Sequence, residues 1–153
     1  MSLIANKKAY FNYEILEKIE AGIKLLGFEV KSVKKGQGSL EGAYVTIRVS
    51  NKGGAEVFLV GAYIPPYQAG NTPMGYDPYR NRKLLLNAKE IKTLIGLEAQ
   101  RGLTIVPISV YNKKNKIKVE IGVARGKKKY DKRETIKKRE AQRDVLRTLK
   151  KDR

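Results

Sequence analysis

The sequence predicts a mainly β fold, a small closed antiparallel barrel with two or three packed helices and a disordered basic C-terminal tail. Three observations lead to this prediction. Several short segments alternate apolar and polar residues with the period of a strand, two segments have helical spacing with start and stop signals, and residues 126–153 are polar and strongly basic. We therefore expect a body at residues 1–124 and a tail at residues 125–153.

The clearest strands are two segments that alternate along their whole length, residues 44–49 and 117–123. Alternation with period two puts one set of side chains on the core face of a sheet and the other set toward solvent. The residues predicted to point inward are Val45, Ile47 and Val49 in the first segment and Ile117, Val119, Ile121 and Val123 in the second.

Further strands are predicted where the chain is apolar and β-branched. Residues 57–64 and 103–111 are continuously apolar, and residues 112–115 form a polar hairpin loop after the second of them. Pro107 lacks a backbone donor and predicts an edge or a bulge. Residues 13–24 read as a long, bent strand.

Two helices are predicted between the strands. Asn87 followed by Glu90 is the residue pair of a capping box, and Gly102 is the terminator of that helix. A shorter helix covers about residues 28–35 and ends at Gly36. Five or six strands with inserted helices, on a basic chain of this size, favour a barrel of oligonucleotide-binding (OB) type. Periodicity alone predicts a split α+β sheet nearly as well as it predicts a barrel.

The charge predicts a polyanionic partner. The formal net charge is +18 and the isoelectric point is about 10.0. Residues 126–153 hold thirteen Lys/Arg and five Asp/Glu, so the body is electropositive as well. Nucleic acid attracts such a surface through its phosphates. The tail has too few large apolar residues to offset the entropy of ordering, so we expect it to be disordered when free.

The residue types present exclude much of enzyme chemistry. The chain has no Cys and no His, so it has no ligands for zinc fingers, no thiol nucleophile and no imidazole base. The acidic residues are scattered, which argues against a magnesium site. We expect no catalytic residue, no metal and no cofactor. With no signal pattern or long apolar stretch, we expect a cytoplasmic protein without membrane contact.

The segment at residues 65–83 is too long to be a simple connection. It contains three tyrosines and three basic side chains, a combination that can stack on nucleobases and pair with phosphates. The same residues also suit turns and a lid over a barrel end, and the sequence favours neither interpretation.

Seven collinear motifs resemble the bacterial SsrA-binding protein (SmpB) family, the partners of transfer-messenger RNA (tmRNA) in rescuing stalled ribosomes. They are residues 4–9 (IANKKA), 20–23 (EAGI), 27–32 (GFEVKS), 77–86 (DPYRNRKLLL), 102–107 (GLTIVP), 118–128 (KVEIGVARGKK) and 130–134 (YDKRE). The motifs extend over essentially the full chain.

The resemblance implies an OB-type barrel that binds the tRNA-like domain of tmRNA without catalysis. The RNA-binding residues it implies are Asn6, Lys7, Lys8, Glu20, Leu85 and Lys118, with Lys31, Arg82 and Lys83 as phosphate partners. Glu20 would repel phosphate, so it either accepts a hydrogen bond from an amine or 2′-hydroxyl or orients a lysine. Leu85 either presses on an unstacked base or belongs to the core.

The same resemblance implies that the tail enters the decoding centre and the empty mRNA channel of a stalled 70S ribosome and becomes helical there. The residues it implies are Gly126, Lys127, Lys128, Tyr130, Asp131, Lys132 and Arg133. Tyr130 stands where other members often have a histidine, which favours a stacking role over a proton-transfer role. Elongation factor Tu is a further implied partner, through alanyl-tmRNA.

Two other functions stay open at this point. A general RNA-binding or small ribosomal protein would also have a barrel body and a basic extension. A metal-dependent RNA-processing enzyme would need grouped carboxylates that the sequence does not show. Discrimination among unrelated RNAs separates the first alternative from a tmRNA-binding protein.

Overall fold

One antiparallel sheet of seven strands organises the described part of the chain. The computed structural model describes residues 2–51, 54–68, 70, 73–126, 133, 136–137 and 139–143. The strands are β1 Ser2–Ala5, β2 Tyr13–Ile23, β3 Tyr44–Val49, β4 Ala55–Val60, β5 Arg82–Leu85, β6 Leu103–Lys113 and β7 Lys116–Gly126. The helices are α1 Lys7–Asn12, α2 Gly27–Lys34 and α3 Ala88–Glu98. The prediction of a mainly β fold with several helices is confirmed.

The strand order is β1-β6-β7-β2-β5-β4-β3, and neighbouring strands are antiparallel. The edge strand β3 also contacts β6, so the sheet curls over its own core. Among the described strands, hydrogen-bonded pairing does not close the sheet, and the predicted closed barrel is not confirmed. Alternation specifies which face of a strand is buried, whereas closure depends on how the edge strands meet.

The alternating strands bury the predicted face with one exception. In β7, Val119, Ile121 and Val123 are buried, and in β3 Val45 is buried. Val49 is 68% exposed, so its predicted inward position is wrong. The reason is its place at the end of β3, beside the turn to β4, where the strand has passed the core.

Backbone irregularities lie where the sequence predicted them. The register of β6 against β7 shifts after Pro107, which confirms the bulge. The register of β2 against β7 shifts after Ile15, as expected for a bent strand. The hairpin turn between β6 and β7 is tighter than residues 112–115: it consists of Lys114 and Asn115, with φ values of 50° and 64°.

The two predicted helices are confirmed within a few residues. At the start of α3, the Glu90 amide donates to Asn87 Oδ1 at 2.8 Å and the Asn87 amide donates to Glu90 Oε1 at 3.3 Å. This helix ends before Gly102, whose φ of 84° belongs to the turn that leads into β6. Within the described residues, no helix has the length and apolar character of a membrane span.

Three short elements were not predicted: β1, α1 and β5. Each has four to six residues, which is too few for a periodic pattern to stand out. The segment predicted as one long loop, residues 65–83, therefore ends where Arg82 begins β5. The Ile64 amide donates to the Pro78 carbonyl at 3.1 Å, so the two ends of this loop lie together.

Of the described tail residues, Arg125 and Gly126 are the end of β7, whereas Arg133, Ile136, Lys137 and 139–143 are helical and exposed. The residues Lys127, Lys128, Tyr130, Asp131 and Lys132 lie outside the described residues. The predicted disorder of the free tail, its folding on the ribosome and the domain boundary near residue 124 stay predictions.

Candidate nucleic-acid interface

One outward-facing row of residues crosses four strands of the sheet. Leu85 of β5 lies opposite Gly22 of β2, Gly22 lies opposite Lys118 of β7, and Lys118 lies opposite Tyr111 of β6. Residues directly opposite each other share a face of the sheet. Glu20, two positions before Gly22, is on the same face. Three residues that the resemblance implied, Glu20, Leu85 and Lys118, are thus brought together.

Leu85 and Lys118 line one surface groove. The Leu85 side chain is 54% exposed, which excludes the interpretation that it belongs to the core. Gly22 makes room for it, because a Cβ at position 22 would lie 3.1 Å from Leu85 Cβ. The other residues that line the groove are Ile23, Leu25, Val30, Asn115, Lys116 and Ile117. An exposed aliphatic surface beside ammonium groups fits a base or ribose and the adjoining phosphates.

Glu20 is paired with residues of β6. The Tyr111 hydroxyl donates to Glu20 Oε2 at 2.5 Å, and Lys113 Nζ lies 3.3 Å from the same oxygen. The hydrogen bond from Tyr111 lowers the pKa of Glu20, burial opposes it, and Lys113 and Lys118 lower the pKa further. The carboxylate is therefore ionised at neutral pH. This pairing matches the second role predicted for Glu20, a carboxylate that orients a lysine.

The residues of the first motif lie in a different cleft. The Asn6 side-chain amide donates to the Pro107 carbonyl at 2.9 Å, so Asn6 joins the start of α1 to the bulge of β6. Lys8 forms an exposed ion pair with Glu41 at 2.5 Å, and Lys7 is exposed. Asn6 is a structural residue here, whereas Lys7 and Lys8 present charge to solvent.

Arg82 is fully buried, which corrects its predicted role as a phosphate partner. Its guanidinium lies 2.6 Å from Glu29 Oε2 and donates to the carbonyls of Ala62, Pro78 and Arg80. A phosphate could reach these donors only if the fold opened and left the Glu29 carboxylate uncompensated. In the sequence, Arg82 lies in a basic run that gave no sign of burial.

Glu29 is the centre of a buried polar network. It pairs with Arg80 and Arg82, accepts from the Tyr76 hydroxyl at 2.8 Å, and accepts from the Leu26 amide at 2.8 Å. Burial alone would raise the pKa of Glu29, but these hydrogen bonds outweigh burial and lower it. Burial and the Glu29 carboxylate raise the pKa of Tyr76 to about 12. The network joins the start of α2 and the long loop to β5, the strand that carries one side of the groove.

The remaining implied residues are spread over the same body. Lys83 shares the outward face of β5 with Leu85 and is partly exposed. Lys31 is exposed on α2, and its Nζ lies 5.8 Å from the ring centroid of Tyr67. Gly126 ends β7, and a Cβ there would meet no atom within 4 Å. In the described part of the chain, no group of three acidic side chains is placed to hold a metal ion.

Three residues in or beside the groove, Gly22, Tyr111 and Lys113, were not predicted from the sequence. Gly22 lies inside a strand, where a glycine indicates the close approach of a neighbour, and that signal was available. Tyr111 and Lys113 contact Glu20 across more than 90 positions of chain. No local pattern could have shown this contact, because it depends on the register of the sheet.

The curved sheet and its lysine-rimmed groove define a small cationic protein with a surface suited to a polyanion. A family model described as "SmpB protein" matches residues 3–151. The chain belongs to the SmpB protein family, and the resemblance seen in the sequence is confirmed.

Individual relatives match along the whole chain. The SsrA-binding protein of Cupriavidus necator is 48% identical over 152 residues, which are 99% of this chain and 98% of the relative. That of Ralstonia nicotianae is 48% identical over 150 residues, 98% of both chains. A solved chain from the structure described as "tmRNA-SmpB: a journey to the center of the bacterial ribosome" matches with a TM-score of 0.65 and 41% identity. That match covers 82% of this chain and 84% of the solved chain.

Proposed function

We propose that this chain is an SsrA-binding protein, which binds the tRNA-like domain of tmRNA and supports trans-translation on stalled 70S ribosomes. The observation that carries the proposal is the outward-facing row of the sheet, in which Glu20, Leu85 and Lys118 come together from three different strands beside the groove. Relatives named for SsrA binding match over nearly the full chain, and this supports the same ligand.

The groove and the residues beside it bind RNA by three kinds of contact. Leu85 packs on the face of an unstacked base or on a ribose, Lys118 neutralises a phosphate, and Glu20 fixes the Lys113 ammonium on the same face. Lys7 and Lys8 add phosphate contacts from α1. No step of this mechanism changes a covalent bond, so the protein acts as a binding factor and not as an enzyme.

The body and the tail have separate tasks in this proposal. The body is an OB-type barrel, which the contact of β3 with β6 supports, and it grips the tRNA-like domain. The tail binds in the decoding centre and the vacant mRNA channel through its basic residues and Tyr130. Elongation factor Tu joins the complex through alanyl-tmRNA, and the protein acts in the cytoplasm.

Replacement of Lys7, Lys8 and Lys118 by Ala is expected to weaken binding of the tRNA-like domain and to flatten its salt dependence. Each lost phosphate contact lowers the slope of log K against log salt by roughly 0.7 to 0.9. Filter binding at several KCl concentrations measures the slope. Lys92→Ala removes one exposed charge from α3 and serves as the matched control. An unchanged slope in the triple variant would remove these lysines from the interface.

Gly22→Ala is expected to reduce affinity for the tRNA-like domain about three- to tenfold, or about 0.7–1.4 kcal/mol. The new methyl group lies 3.1 Å from Leu85 Cβ and displaces the side chain that contacts RNA. Leu85 Cβ moves only with the β5 backbone, so the melting temperature should also fall slightly, and affinity is measured well below it. Gly96→Ala on α3 enters open space and should leave affinity unchanged. Equal affinity in both variants would show that the groove is not the RNA site.

A general RNA-binding protein is the second candidate, because the positive charge extends well beyond the groove. Competition by an unrelated folded RNA of the same length separates the two functions. An SsrA-binding protein keeps its preference for the tRNA-like domain at physiological salt. Equal competition would favour the general binder.

A further inference from the structure

Two lysines of α2, Lys31 and Lys34, and Lys35 directly after the helix form a cationic stripe outside the groove. Lys31 and Lys35 lie four residues apart on one side of the helix end, and Lys34 lies between them in the sequence; all three are exposed. In the described part of the chain, no acidic side chain forms an ion pair with them. Like charges at this spacing repel each other and destabilise a helix slightly, so a bound anion would relieve the repulsion.

An aromatic ring lies against this stripe. Tyr67 belongs to the long loop, and its ring centroid lies 5.2 Å from Lys35 Nζ and 5.8 Å from Lys31 Nζ. The loop is fixed to α2 close by, because the Ser32 hydroxyl donates to the Pro65 carbonyl at 2.7 Å. The ring is therefore held beside α2 with both ammonium groups within cation–π distance of it. We call Lys31, Lys34, Lys35 and Tyr67 the lysine–tyrosine patch.

We propose that the lysine–tyrosine patch is a second RNA contact, in which Tyr67 stacks on an unpaired base and the α2 lysines bind the phosphates on either side of it. Stacking on an aromatic ring accepts any base, and lysines accept the phosphates of any sequence. An acidic peptide would use the charges but would leave the ring without a partner. The proposal rests on the proposed function, since it extends the RNA surface of the same protein.

The patch is continuous with the groove through α2. Val30 lines the groove, and Lys31 is the next residue of the same helix. Consecutive helix residues point about 100° apart, so the groove and the patch lie on neighbouring sides of α2. RNA that fills the groove can pass round the helix to the ring, so the occupant of the patch is the tRNA-like domain, and ribosomal RNA is the alternative outcome of the test.

A single tryptophan gives a direct test. The chain has no Trp, so Tyr67→Trp provides one fluorophore in an otherwise Trp-free protein. We expect its emission to be quenched when the tRNA-like domain RNA is added. Val49→Trp, at the exposed end of β3 and outside the groove, the patch and the cleft of Lys8, is the control for quenching at a distance. No quenching by the tRNA-like domain, quenching by the small ribosomal subunit alone, or equal quenching in the control would overturn the proposal.

Affinity provides the second readout. Tyr67→Leu should weaken binding to the RNA that causes quenching about fivefold or more, whereas Tyr67→Phe keeps the ring and should bind as the wild type does. Lys35→Ala should lower the salt slope for that RNA by roughly 0.7 to 0.9, with Lys92→Ala as the control. The proposal that the patch binds RNA would be contradicted if the Leu and Phe variants bound with equal affinity. It would also be contradicted if an acidic peptide competed as strongly as RNA does. Loss of the wild-type preference for the tRNA-like domain would instead contradict the proposed function.

Discussion

Removal of residues 126–153 is expected to leave tight binding to the tRNA-like domain and to abolish peptide-tag addition on stalled ribosomes. Glu20, Leu85 and Lys118 all lie in the body, so the truncated chain keeps the proposed RNA site. The tail contributes thirteen basic side chains, which the proposed function assigns to the decoding centre and mRNA channel. The measurements are filter binding to the tRNA-like domain and tag addition in a reconstituted translation reaction on a truncated message.

A scrambled tail separates charge from sequence in this experiment. A variant with the same composition at residues 126–153 in shuffled order has the same net charge as the wild type. We expect it to bind RNA normally and to fail in tag addition, because Gly126, Tyr130 and the intervening lysines no longer have their order. Tag addition at the wild-type rate by either variant would refute the role of the tail, and loss of RNA binding on truncation would refute the separate tasks of body and tail.

Glu29→Gln is expected to destabilise the body by about 3–5 kcal/mol, since it leaves two arginines without their buried carboxylate. Glu29 and Arg82 are both fully buried, and Glu29 also accepts from Arg80 and Tyr76. Urea unfolding followed by circular dichroism measures the change. Glu41→Gln breaks the exposed pair with Lys8 and should cost less than about 1 kcal/mol, which makes it the matched control.

The same network predicts that the free energy of unfolding of the body falls at acid pH. The pKa of Glu29 is lower in the folded body than its ordinary value of 4.5, so its contribution is fully present above pH 4.5 and is lost as pH falls through the folded value. Glu29→Gln should lack this contribution at all pH values, and the difference from wild type should shrink in acid. A difference that stays constant down to the lowest accessible pH would contradict the assignment to Glu29.

Sequence patterns predicted the elements that are specified by residues close together in the chain. The capping pair Asn87 and Glu90 predicted the start of α3, alternation predicted β7, and Pro107 predicted a bulge. The elements that were not predicted depend on contacts with residues far away in the sequence. The four residues of β5 become a strand because β2 and β4 pair with them, and no pattern within four residues can show that pairing.

The candidate site was likewise predicted only in part. The resemblance implied Glu20, Leu85 and Lys118, and the register of the sheet brings them together. It also implied Arg82, which is buried against Glu29, because a basic residue in a basic run looks the same in sequence whether it meets a phosphate or a carboxylate. Three-dimensional placement, which sequence spacing does not provide, distinguishes the two.

The RNA that copurifies with the full chain from its native cells tests the central claim most directly. The body should select tmRNA, so sequencing of the bound RNA should show tmRNA enriched far above its share of total cellular RNA, and a Leu85→Ala/Lys118→Ala variant should lose that enrichment. Recovery of cellular RNAs in proportion to their abundance, with no difference between wild type and variant, would contradict the claim.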